Sequence, residues 1–91
     1  MMNIVILRSE EFANADELHR LLQDRLALPE YYGQNLDALW DCLTGWIELP
    51  TTIVWLGYEN SVRKVGAYAE KVAEVLREAE RQVEGLTLIR Y

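Results

Sequence analysis

Three short apolar runs, Asn3 to Leu7, Thr51 to Leu56 and Leu86 to Arg90, punctuate the chain, and two long stretches of helical patterning separate them. Strands joined through helical crossovers pair in parallel, whereas antiparallel neighbours need only a tight turn. The order strand, helix, helix, strand, helix, helix, strand therefore predicts an α/β fold: a three-stranded parallel sheet packed with about four helices. Thr51 to Leu56, rich in β-branched residues, is expected in the centre of that sheet. A chain of 91 residues accommodates one hydrophobic core, so a single domain is expected over residues 1–91.

The helix boundaries are written in local signals. Asn14 followed by Glu17 resembles a capping box, opening a helix to about Leu26 whose core stripe is Leu18, Leu21, Leu22 and Leu26. His19 falls beside that stripe and is expected to be a solvated helix-surface residue with no chemical role. Pro29 disfavours helix at Leu28, and Tyr31, Tyr32 and Gly33 form an aromatic loop leading to Asn35, a plausible N-cap. The second helix is predicted over Leu36 to Thr44, with Gly45 ending it in the left-handed conformation that glycine adopts cheaply. From about Glu59 to Glu84 the pattern is helical again, and Gly66 splits it into a short and a long helix. In the long one Ala69, Val72, Ala73, Leu76 and Ala79 share a side, with Glu70, Glu74, Arg77, Glu78 and Arg81 largely on the other.

Several function classes are disfavoured by composition. The longest apolar runs fall far short of the roughly 20 residues that cross a bilayer. The N-terminus shows no secretory pattern, so a cytoplasmic protein with no membrane partner is expected. One cysteine, Cys42, and one histidine, His19, provide neither an intramolecular disulfide nor a zinc site, and no metal or cofactor is expected. A net charge of -6 opposes nucleic-acid binding and points to a basic partner.

The second helix carries the pattern that bears on function. Leu36, Leu39 and Leu43 form an apolar stripe suited to the core, while Asp37, Trp40, Asp41 and Thr44 form another. Two aspartates at i and i+4 repel each other by a few tenths of a kcal/mol. A tryptophan between them exposes apolar surface of the kind that partners cover at interface hot spots. With Tyr31, Tyr32 and Trp46 nearby in sequence, this reads as an acidic, aromatic docking patch or, equally, as a core edge beside a solvated face. Pattern alone favours neither. A glycosidase using Asp37 and Asp41 as paired carboxylates is disfavoured, because both acids sit on one helix with no cleft to enclose a sugar.

The run from Ala27 through Leu28, Pro29, Glu30, Tyr31, Tyr32, Gly33, Gln34, Asn35, Leu36, Asp37, Ala38, Leu39, Trp40, Asp41, Cys42, Leu43, Thr44 and Gly45 to Trp46 closely resembles the barstar family of intracellular ribonuclease inhibitors. The likeness continues more weakly through Glu48, Pro50, Trp55 and Leu76 to Ala79. It implies a non-enzymatic inhibitor that blocks a secreted, barnase-type, guanyl-preferring ribonuclease in a 1:1 complex and is monomeric when free. By that resemblance Asp41 occupies a phosphate-binding position in the enzyme cleft, where cationic groups that hold RNA phosphates equally hold a fixed carboxylate. Tyr31 packs over the catalytic histidine region, and Asn35, Leu36, Asp37 and Trp40 add contacts around Asp41. Thr44, Gly45 and Trp46 follow along the rim, and Glu78 of the long helix makes a further charged contact. Pro50 resembles a proline that is cis in the family.

The chain departs from the family's best-known member at Gln34, where that protein has Glu, at Ile47 for Val, at Leu49 for an aromatic residue, and in lacking a second cysteine. The lost charge at Gln34 implies a cognate enzyme that differs in detail. The alternative reading keeps the fold and changes the partner: an acidic docking or antitoxin module for another basic protein.

Overall fold

The structure, a computed structural model, describes residues 2–91; Met1, the first residue of the expected domain, lies outside the described residues. The chain runs β1 (Asn3–Arg8), α1 (Ala15–Arg25), α2 (Leu36–Gly45), β2 (Thr51–Leu56), α3 (Tyr58–Val65), α4 (Ala67–Gln82) and β3 (Leu86–Arg90), with one 3-10 turn at Ser9–Glu11. The sheet is parallel in the order β1-β2-β3. Thr51–Leu56 is therefore the central strand, as its composition predicts, and the α/β fold, with four α-helices among the described residues, is the one the element order implies.

Alternate residues of each strand point to one covered face. Val5 and Leu7 of β1, Ile53 and Trp55 of β2, and Leu86 and Leu88 of β3 are buried, and Val5 pairs with Ile53, which pairs with Leu88. Leu18 and Leu22 of α1, Leu39 and Leu43 of α2, and Val72 and Leu76 of α4 complete this core. Burial of each such side chain is worth about 1.5–3 kcal/mol. Ile4, 65% exposed, and Ile89, 38% exposed, lie on the opposite face, which the helices leave open to solvent.

Both helix starts read from the sequence are present. Asn14 Oδ1 accepts the Glu17 N–H at 2.9 Å, and Glu17 Oε1 accepts the Ala13 N–H at 2.8 Å. The break at Gly66 separates α3 from α4. Gly57, at φ +74°, lies in the left-handed region where a side chain is strained, and an added Cβ would crowd the Ser9 side chain. Trp55 is fully buried beside it and donates its indole N–H to Ser61 Oγ at 2.9 Å. The Leu49–Pro50 bond is cis.

Two expectations are corrected. Gly45 is not the left-handed residue that ends α2; it belongs to the helix, and Trp46 follows with φ -119° and ψ -46°. The stop is tertiary: the Trp46 indole N–H donates to Ala27 O at 3.0 Å, and both the Trp46 and Ile47 amides return to Cys42 O. His19 is not on the surface but 1% exposed. Its Nδ1 lies 2.6 Å from the Tyr32 hydroxyl and its Nε2 lies 2.7 Å from that of Tyr68. Spacing along α1 could not show that a loop and a second helix each bring a tyrosine to cover it.

The outer edge of β3 is closed by α4. Glu80 Oε2 accepts the Leu88 N–H at 2.8 Å, while Arg77 donates to Glu80 Oε1 at 2.8 Å and to Leu88 O at 3.3 Å. One ion pair thus satisfies an amide and a carbonyl that an exposed edge strand would offer to another chain.

Candidate functional site

The site is assembled on α2, whose first turn is set by its N-cap. Asn35 Oδ1 accepts the Ala38 N–H at 2.8 Å and its Nδ2 donates to Gly33 O at 3.3 Å, which locks the preceding loop to the helix. Caps of this kind are worth about 1 kcal/mol. Leu39, Cys42 and Leu43 face the core, so Asp37, Asp41, Thr44 and Gly45 must face solvent, and all four are exposed. Cys42 is a core position that the spacing 39, 42, 43 could have revealed. Burial pushes its thiol above the ordinary cysteine range, as does the Asp41 carboxylate beside it.

The two stripes expected on α2 are redistributed. Leu36 is not in the core interior and Trp40 is not fully exposed; both are half-buried against the core cluster. The reason is α4, which packs beside α2 and leaves a groove of about 590 Å³ between them. Leu36, Asp37 and Trp40 line one wall, and Glu74, Val75, Arg77, Glu78 and Arg81 the other. Glu78 therefore does join Asp37 and Trp40, although it lies about forty residues further along the chain. Its carboxylate is ion-paired with Arg81 at 2.5 Å. The α4 residues that complete this groove were invisible to reasoning on α2 alone.

At the other end of α2 stand two exposed aromatics. Tyr31 is 81% exposed and Trp46 50% exposed, and their rings meet edge to face with centroids 6.3 Å apart. A ten-residue helix is about 15 Å long, so this contact requires the loop before α2 to run back along the helix to its C-terminal end. Tyr32, the next residue, turns inward to His19, and burial raises its hydroxyl pKa far above the ordinary tyrosine value. Thr44 Oγ1 donates to Trp40 O at 2.8 Å, which orients its hydroxyl along the helix.

Tyr31 and Trp46 thus stand at one end of α2, Thr44, Gly45 and Asp41 along its exposed face, and Asp37, Trp40, Leu36 and Glu78 at the groove. Asn35 supports the helix from the cap. The exposed carboxylates of Asp37 and Asp41, with exposed aromatic rings beside them, make an acidic ridge whose chemistry suits cationic groups. Among the described residues no three His, Cys, Asp or Glu side chains cluster closely enough to hold a metal ion, and no helix is long and apolar enough to cross a membrane.

Comparison with known proteins shows the family to which the chain is similar. The family described as Barstar (barnase inhibitor) matches residues 2–88. The chain is also 48% identical over 82 residues to the Bacillus subtilis (strain 168) protein named "Putative ribonuclease inhibitor YrdF", covering 90% of each chain.

Proposed function

We propose that this chain, which belongs to the barstar family, is an inhibitor of a secreted barnase-type ribonuclease and catalyses nothing itself. The observation that carries the reading is the placement of Asp41. It stands exposed in the middle of the ridge, on a helix capped at Asn35 and anchored at Trp46, with Tyr31 and Trp46 at one side and the α2/α4 groove at the other. A carboxylate presented on this helix face offers a cleft built for RNA phosphates the charge it binds, without a scissile bond.

Tyr31, Asn35, Leu36, Asp37, Trp40, Thr44, Gly45, Trp46 and Glu78 form the contact surface around it. The complex is 1:1, formed by a free monomer in the cytoplasm that protects its host from the enzyme. Net charge of -6 steers it toward a basic enzyme and away from nucleic acid.

The test is calorimetric titration of the protein and of Asp41→Ala into barnase, with RNA cleavage followed in parallel. Stoichiometric inhibition that weakens by about 2–5 kcal/mol in the variant, the range for truncating one partner of a desolvated charge pair, supports the reading. Tight binding indifferent to Asp41 would remove it from the centre of the site, and no binding at all would reject the ribonuclease.

A further inference from the structure

We infer that Arg81 is a specificity-determining residue of the α2/α4 groove, because its ion pair with Glu78 must be exchanged for a cation on the partner. The inference rests on the ribonuclease-inhibitor reading and adds to it a residue that filters which basic enzymes fit.

Among the described residues the ion pairs of α4 are Arg77–Glu80 and Arg81–Glu78. The first is committed to the edge of β3 through Leu88. The second lies at the groove, with both side chains open to water, Arg81 at 66% and Glu78 at 51% exposure. A pair in that environment contributes no more than about 1 kcal/mol, so it exchanges readily. The groove itself has apolar surface from Leu36, Trp40 and Val75 between the carboxylates of Asp37, Glu74 and Glu78. That combination suits the aliphatic stem and cationic head of an arginine or lysine side chain, with the Trp40 ring beside it.

Arg81 brings the same chemistry from within the chain. Before contact it neutralises Glu78 and places a positive charge in the path of a basic enzyme. A partner presenting its own arginine here replaces one ion pair with another. A partner presenting a neutral side chain leaves Arg81–Glu78 closed and gains no charged contact. Selectivity thus comes from a competitor within the inhibitor as well as from attraction.

The experiment compares association rate and Kd for barnase among the unsubstituted protein, Arg81→Gln, Glu78→Gln, the double variant and Arg20→Gln. Arg20 is exposed on α1 outside the groove, so it reports what the loss of any positive charge does to steering. Arg81→Gln is expected to tighten binding on the order of two- to fivefold beyond Arg20→Gln. That excess should vanish in the Glu78→Gln background and shrink as salt is raised.

Arg81→Gln binding that matches Arg20→Gln, that weakens, or that keeps its excess without Glu78 would overturn the inference while leaving inhibition intact. Failure of the unsubstituted protein to bind barnase would overturn the reading beneath it, and the inference with it.

Discussion

The hydroxyl of Tyr32 lies 2.6 Å from Nδ1 of His19, and this one contact ties the loop that displays Tyr31 to the interior of the fold. Tyr68 holds the other ring nitrogen at 2.7 Å, so a neutral imidazole bridges the loop, α1 and α4, donating at one nitrogen and accepting at the other.

Burial lowers the His19 pKa below its ordinary 6.5, with Asp16 opposing the shift in part. As pH falls through 6.5 the unfolded chain therefore takes up a proton before the folded one does, and stability present above that pH is lost below it. Urea unfolding is expected to show declining stability between pH 7 and pH 5. His19→Gln is expected to flatten that decline while costing about 1–3 kcal/mol at pH 7, because two tyrosine hydroxyls lose their partner. An unchanged pH slope in the variant would assign the decline elsewhere.

Glu80 contributes at a lower pH. Burial pushes its carboxyl up, but the Leu88 amide and the Arg77 guanidinium outweigh that and hold it below the usual carboxylate value. A depressed carboxyl stabilises the fold above the unfolded pKa, about 4.5, and that contribution is lost as pH falls further. Glu80→Ala should destabilise the protein by about 1–3 kcal/mol at neutral pH, with the difference shrinking below pH 4.5. Equal destabilisation at pH 7 and pH 3 would refute the assignment.

Tyr31 separates binding from folding. At 81% exposure it adds little to stability, so Tyr31→Ala should unfold within about 0.5 kcal/mol of the unsubstituted protein. As an aromatic anchor of the ridge it should nevertheless lose at least about 1 kcal/mol of ribonuclease affinity. Calorimetry beside chemical unfolding distinguishes the two, and affinity that survives the change would place Tyr31 outside the contact.

Electrostatic steering has its own signature. Association with barnase should approach about 10⁸ M⁻¹s⁻¹ or more at low salt, the order of magnitude known for the barnase–barstar pair. It should fall steeply as the Debye length shrinks from about 30 Å at 0.01 M to about 8 Å at physiological ionic strength. Stopped-flow rates indifferent to salt would contradict steering by the acidic ridge.

Local sequence by itself determined the element order, and with it the parallel sheet, because each strand run and each helix start depends on neighbours in the chain. Asn14 with Glu17, Asn35 before Leu36 and the break at Gly66 are all interactions within a few residues, and all stand where the pattern puts them. The contact residues proposed on α2 come only from resemblance to a family, since two aspartates and a tryptophan on one helix have no unique partner.

Tertiary structure decided what covers each face. Periodicity defines the sides of a helix but not the neighbour that will pack against them. Hence His19 moved from the expected surface to the interior, Leu36 and Trp40 were drawn to the groove by α4, and α2 stopped at a tryptophan hydrogen bond in place of a left-handed glycine. The meeting of Glu78 with Asp37 and of Tyr31 with Trp46 likewise joins residues distant along the chain. Such contacts form only once the sheet has set the distances between helices.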